Sequence, residues 1–351
     1  MTGPIVGIIA NPVSARDIRR VISHAGNLQI TDRANMLLRI LAGLAATGIA
    51  QVVMMPENAG IYGHLRRGLE RAANAGEARF PALRLLDMAV CGQAEDSAAA
   101  ARIMRKMNVG AIIVLGGDGT HRVVVSGSGD IPIAGVSTGT NNAFPEMREP
   151  TITGLAVGLA VTGAVSAGVA FVGNKCLQVA INDRHDIALV DVAIVRERFV
   201  GSRAIWKAGS FRELFVAFAE PGSIGLSSIA GLVAPVRRNS PFGRRLIFDD
   251  PADAQFRVAA PIAPGLIEDI GIARVETLDF DMPTALTAES GSIALDGERE
   301  ITFSEQDHVA VTLREAAFRT IDVSACMSFA ASNGLFVESA PITTHALGGQ
   351  G

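Results

Sequence analysis

A chain of 351 residues, 49% hydrophobic and 19% charged, exceeds what one ordinary core accommodates and predicts two domains. A formal net charge of −4 without a basic block, a single Trp and a single Tyr exclude a nucleic acid as the main partner. Three scattered cysteines, Cys91, Cys176 and Cys326, predict reduced thiols and a cytoplasmic setting, with no C-x-x-C pattern for zinc.

Ile5–Ala10 reads as the first strand, stopped by Asn11-Pro12, without the basic flank and cleavage pattern of a signal peptide. Thr31 caps a predicted helix whose apolar stripe is Leu37, Ile40, Leu41 and Leu44. Strands follow at Gln51–Met55 and Leu83–Leu86, separated by a helix over Ile61–Asn74. Glu95 or Asp96 opens the next helix, which ends near Asn108-Val109-Gly110. Ala111–Leu115 is uniformly apolar and reads as a buried strand; GGDGT (116–120), a helix from His121 and a strand over Ile131–Val136 come next. Strands alternating with helices predict a parallel sheet covered on both faces, with ligands collecting beyond the carboxyl ends of its strands. The loop Ser137–Asn142 sits at such an end.

Gly154 to Val172 carries no charge and approaches the length of a membrane span, but its Gly-, Ala- and Val-rich makeup predicts a helix buried in protein. Gly154 and Gly158 would admit a close neighbouring backbone. Beyond Val172, β-rich runs at Cys176–Ile181, Ile187–Val195, Leu246–Phe248, Gln255–Val258, Gly271–Val275 and Ser292–Leu295 predict an antiparallel β domain. One helix-like piece covers Phe211–Ala219, and Ala325–Val337 is apolar enough to pack back on the body. The expected division is an α/β domain over 1–150, a β-rich domain over 151–325 that contributes the acceptor pocket, and a C-terminal segment over 326–351 with a loose tail.

Absent motifs narrow the chemistry. There is no P-loop signature, no G-x-G-x-x-G after the first strand, no nucleophile elbow, and no metal spacing among the six histidines. What remains suits phosphoryl transfer, which needs phosphate neutralisation and a group that orients or deprotonates the acceptor. Gly116, Gly117 and Gly119 with Thr120 form a strand-to-helix turn of the kind that favours an anion. Asp118 within it could accept the proton of an acceptor hydroxyl, help order a metal, or bond its own backbone as a turn residue. His121 could touch phosphate or be a capped surface histidine. Arg237, Arg238, Arg244 and Arg245 read either as phosphate receivers or as solvated loop charges, and Trp206 as a packing anchor.

GGDGT resembles the signature shared by NAD kinases, diacylglycerol-type lipid kinases and phosphofructokinases. With STGTNNAFP (137–145), NPVSARD (11–17), ALVDVAIV (188–195), RAIW (203–206) and ALDGERE (294–300), the chain is similar to the acetoin-catabolism protein X branch of the ATP-NAD kinase superfamily. That resemblance implies a Rossmann-like N-terminal domain, a C-terminal antiparallel β domain, and a site between them. It implies ATP as donor, Mg²⁺ held through the phosphates, and a homodimer or tetramer. It makes Asp118 the catalytic aspartate that acts on the acceptor hydroxyl, with Gly116, Gly117, Gly119, Thr120, Thr138, Asn141 and Asn142 on the phosphate and nucleotide side. Asp191, Gly222, Ser223 and Asp296 then belong to the acceptor pocket. Two positions depart from the pattern: Val190 replaces an asparagine that holds adenine in NAD kinases, and Leu226 replaces a tyrosine. Losing a needed buried partner costs about 1–3 kcal/mol, so the catalytic half is kept while the adenine-reading half is altered. The implied activity is phosphorylation of NAD(H) or a related hydroxyl compound; the alternatives are a nucleotide-binding accessory or sensor protein and a diacylglycerol-type lipid kinase.

Overall fold

Five apolar runs in the first 140 residues become parallel strands. In the computed structural model, which describes residues 3–12, 28–76, 80–139, 142–196, 208–297 and 299–337, these are β1 (Ile5–Ala10), β2 (Gln51–Met54), β3 (Ala82–Leu85), β4 (Ala111–Gly116) and β5 (Ile133–Ser137). They pair parallel in the order β3-β2-β1-β4-β5. Every residue of β4 is buried, as helices on both faces require.

The connecting helices are α1 (Ile30–Ala46), α2 (Ile61–Asn74), α3 (Ala94–Lys106) and α4 (Asp118–Ser128). α1 buries the predicted stripe, but its cap is Gln29 rather than Thr31, because Gln29 and Asp32 close a reciprocal capping box. Helix α4 begins at Asp118, earlier than His121, so the acid is its first residue. The uncharged stretch divides into α5 (Pro150–Thr162), a stop at Gly163, the short α6 (Ala167–Ala170) and the start of a strand. Among the described residues no helix is long and apolar enough to cross a membrane. Gly154 lets α5 meet α1 so closely that a Cβ there would lie 2.3 Å from the carbonyl oxygen of Ile40.

The second half supplies β6 (Phe171–Ile181), β7 (Arg184–Ala188), β8 (Asp191–Val195), β9 (Phe211–Val216), α7 (Ser227–Val233), β10 (Gly243–Asp249), β11 (Phe256–Ala263), β12 (Leu266–Leu278), β13 (Thr284–Ala285), β14 (Gly291–Leu295), β15 (Arg299–Phe303), β16 (Val309–Ile321) and α8 (Val323–Ser332). β16, β6 and β7 extend the first sheet beyond β5, with β13 pairing on β16. The order β11-β12-β10-β9-β8-β14-β15 makes a second, wholly antiparallel sheet.

The strands of the second half depart further from the sequence expectations. Phe211–Ala219 is not helical: its Phe211, Leu214, Phe215, Phe218 spacing fits a helix, but hydrogen-bonded neighbours on both sides hold Phe211–Val216 as a strand. Ile187–Val195 is two strands in different sheets, because the chain turns a corner at Leu189-Val190. The thirteen-residue β16 was not expected as a strand. The sheets share a core in which Ile112 and Val114 of β4 belong with Leu177, Val192, Phe215 and Leu313. α8 packs on the body through buried Val323, Cys326 and Ala330, whereas Leu335, Phe336 and Val337 at the end of the apolar Ala325–Val337 run are exposed.

Candidate functional site

β4 delivers the chain to Gly116, Gly117 caps α4, and Asp118 follows as the first helical residue. The turn is crowded: a Cβ on Gly116 would lie 2.6 Å from Cβ of Thr120, and one on Gly117 would lie 2.7 Å from Oδ1 of Asn142. Asp118 is 8% exposed. Its Oδ2 accepts the N–H of Ala143 at 3.0 Å, and its Oδ1 accepts the N–H of Phe144 at 2.8 Å. Two successive amides therefore fix both oxygens of the carboxylate.

The other N-terminal site residues converge on the same turn. Thr120 Oγ1 accepts from Asn11 Nδ2 at 3.2 Å, and the carbonyl of Asn11 accepts from Arg33 Nη1 at 2.6 Å. This ties the end of β1 to the start of α4. Thr138 is buried, and its N–H donates to the carbonyl of Gly116. Asn142 donates to Ser137 Oγ at 2.8 Å and to the carbonyl of Gly139 at 3.3 Å. Asn141 lies outside the described residues, as do Val13–Asp17 of the first motif, the RAIW stretch with Trp206, and Glu298.

A crevice of about 400 Å³ opens between the two sheets' loops, with Ser137, Asn142, Ala143 and Glu146 on one wall and Glu220, Gly222, Ser223 and Arg238 on the other. A second cavity of about 280 Å³ lies at the carboxyl ends of β1 and β2, where Asn11, Pro12, Glu57, Gln93 and Asp96 line it. Arg238 is not a solvated loop charge. Its Nη2 donates to the carbonyls of Ala143 and Phe144, each at 2.8 Å, and its guanidinium lies over the ring of Phe218 at 4.3 Å. Arg245 is buried against Glu213 at 2.6 Å, while Arg244 stacks over Phe242. Sequence reading missed the placement of Arg238 because it packs against residues about ninety positions earlier.

The acids expected in the acceptor pocket gather at the corner between β7 and β8. Asp296 accepts the N–H of Leu189 (3.0 Å), Val190 (2.8 Å) and Asp191 (3.3 Å), and its Oδ2 lies 3.6 Å from Nε of Arg122 on α4. Burial pushes the Asp296 carboxyl up to about 6, against the pull of Arg122 and the three amides. Asp191 is buried at the start of β8, and its carbonyl accepts the N–H of Asp296. His121 is neither a surface histidine nor a phosphate contact: it is fully buried, with Nδ1–H donating to the Gly117 carbonyl at 2.8 Å. Burial lowers its imidazole to about 4, so it is neutral near pH 7. Among the described residues no group of three or more His, Cys, Asp or Glu is arranged to hold a metal ion.

A mostly parallel sheet carrying a GGDGT turn, followed by an antiparallel sheet whose loops bound a crevice with the loop beside that turn, is a diacylglycerol kinase-like fold. The fold resembles that of a putative diacylglycerol kinase from Bacillus anthracis str. Sterne, with a TM-score of 0.50 at 14% identity over 92% of this chain and 98% of that one. Residues 6–161 match the ATP-NAD kinase N-terminal domain, and residues 175–316 match the Acetoin catabolism protein X C-terminal domain. Over 337 residues, 95% of this chain and 94% of the relative, the sequence is 50% identical to the Acetoin catabolism protein X of Cupriavidus necator. The chain belongs to the acetoin catabolism protein X family, in the NAD kinase superfamily.

Proposed function

We propose that the protein is an ATP-dependent phosphotransferase that phosphorylates a hydroxyl of NAD(H) or a related polar small molecule in the crevice. The observation that carries this reading is the Asp118 clamp: a carboxylate at the first turn of α4, gripped by the amide of Ala143, which lines the crevice, and by that of the adjoining buried Phe144. In this role Asp118 orients the acceptor hydroxyl and takes its proton. Gly116, Gly117, Gly119 and Thr120 border the phosphates, since the first amides of a helix lack intrahelical acceptors and the helix dipole favours an anion. Thr138, Asn141 and Asn142 support that side, and Gly222 and Ser223 face the acceptor from the opposite wall. Asp191 and Asp296 act one layer behind, holding the β7–β8 corner. The cavity beside Asn11, itself bonded to Thr120, suits the donor's nucleoside. Mg²⁺ held by the phosphate oxygens would neutralise charge there.

Incubation with Mg-ATP and NAD or NADH is expected to yield NADP(H) and ADP, and Asp118→Asn is expected to slow turnover by about 10²–10⁴-fold. Undiminished turnover in that variant removes the proposed role of the carboxylate. A second reading, a nucleotide-binding sensor without efficient transfer, draws support from Val190 and Leu226, both buried and apolar where a polar adenine contact would be needed. Stabilisation by a nucleotide panel, about 2.7 kcal/mol at a hundred times the dissociation constant, without product in any kinase assay favours the sensor. A lipid acceptor is less well supported, because the wall residues Ser137, Asn142, Glu146, Glu220 and Ser223 are polar.

A further inference from the structure

The peptide between Ala143 and Phe144 is held from both ends. Its N–H, on Phe144, donates to Asp118 at 2.8 Å, and its carbonyl, on Ala143, accepts from Arg238 at 2.8 Å. A peptide whose carbonyl faces a cation is a stronger N–H donor, because hydrogen bonds in a chain polarise one another. The same Arg238 nitrogen takes the Phe144 carbonyl, which precedes Pro145 and so belongs to a peptide without an N–H. The guanidinium lies over two rings, 4.3 Å from the centroid of Phe218 and 5.3 Å from that of Phe144. Its loop is anchored in turn: Lys175 on β6 donates to the carbonyls of Ser240 and Phe242 at 2.8 Å and of Arg237 at 3.2 Å. An ammonium has three donors, and here all three are used.

We propose that Arg238 is a positioning residue for Asp118: by fixing the Ala143–Phe144 segment it sets the carboxylate's orientation, and Lys175 seats the loop that carries it. The chain of contacts runs from β6 through the 237–242 loop to the first turn of α4, so the acid's geometry depends on the loop that precedes the second sheet's β10. The inference rests on the reading of Asp118 as the acting carboxylate, but its structural content is testable without any enzymatic activity.

The test is amide hydrogen exchange in the full-length protein, read residue by residue by NMR, for Arg238→Met, Arg238→Lys and Lys175→Met. Arg238→Met is expected to speed exchange at Ala143 and Phe144 by about tenfold, the scale of one lost hydrogen bond, while α1 and α3 keep their rates. Arg238→Lys is expected to restore most of the protection, because one ammonium can serve both carbonyls. Should Arg238→Met fail to fold, Lys175→Met is expected to show the same two-amide signature more weakly. Native exchange at Ala143 and Phe144 in a folded Arg238→Met or Lys175→Met protein overturns the proposal, as does an acceleration spread evenly over the chain. Where phosphotransfer is measurable, kcat should fall with little change in KM for ATP. A raised KM with unchanged kcat would instead make Arg238 a direct phosphate ligand and overturn it. Absence of any phosphotransfer would count against the kinase reading and leave the exchange result standing.

Discussion

His121 and Asp296 are buried ionisable groups whose responses to acid oppose one another. The His121 imidazole is lowered from 6.5 to about 4, so the unfolded chain binds more protons between those values and this group's contribution to stability falls as pH drops from 6.5 to 4. Asp296 is raised from 3.8 to about 6, so the folded chain binds more protons in its window and its contribution rises as pH drops through 6 toward 4. The two windows overlap, and the native protein should show a muted stability change between pH 7 and 4.5 from this pair. Removing either group unmasks the other. Relative to the parent, Asp296→Asn should lose stability more steeply on acidification, and His121→Asn less steeply, as denaturant midpoints at a series of pH values will show. If both variants track the parent, the burial of these groups does not control acid stability. Little of this was legible in the sequence. The GGDGT motif pointed to Asp118, but whether His121 faces solvent or core depends on Gly135, where a Cβ would lie 2.7 Å from His121 Nε2. Likewise the Asp296-Gly297 pair reads locally as a turn, and Asp296 does take φ +49 as a turn would need, but its three amide partners lie more than a hundred residues earlier.

At the scale of elements, the α1–α5 contact is set by glycine. Alanine ordinarily stabilises a helix interior by about 1 kcal/mol over glycine. At Gly154 the added methyl would sit 2.3 Å from a backbone oxygen of α1, and a backbone cannot rotate away as a side chain can. Overpacking of this kind costs about 1–3 kcal/mol, so the clash wins and Gly154→Ala should lower the unfolding midpoint. Gly168, with no atom within 4 Å of its would-be Cβ, provides the control: Gly168→Ala should be neutral or slightly stabilising. Denaturant unfolding of both variants checks the sign. The parallel strands were readable because burial on both faces makes them continuous apolar runs, and β1 has the predicted bounds. β9 was not, because an aliphatic and aromatic run with Glu213 inside it fits a helical stripe until Arg245 is seen to neutralise that glutamate from the next strand. β16 was hidden by its own composition: Arg314, Glu315 and Arg319 interrupt the apolar pattern, and a register shift between Arg314 and Phe318 breaks the alternation.

For the molecule as a whole, the decisive feature is that the first sheet is completed late in the chain. β5 pairs with β16, and β16 pairs with β6, so the edge left open by the first 140 residues is covered by strands from residues 171–188 and 309–321. The core beneath β4 is completed by Leu177, Val192, Phe215 and Leu313, and α5 is flanked by α8 through the cluster that includes Val323, Cys326 and Ala330. Burial of each large aliphatic or aromatic side chain contributes about 1.5–3 kcal/mol, whereas a domain's whole margin is about 5–15 kcal/mol. Removing several such partners at once therefore exhausts the margin. A fragment of residues 1–165 contains β1–β5 and, among the described residues, α1–α5, yet it should show no cooperative thermal transition and should bind a hydrophobic dye. The full chain should melt in one transition without dye binding below it. The unpaired edge of β5 would also expose a row of backbone donors and acceptors, so the fragment should aggregate as its concentration rises. A sharp, reversible melt of the fragment would show instead that the Rossmann-like half is self-sufficient, and that the Asp118 turn is built before the second sheet arrives to close the crevice.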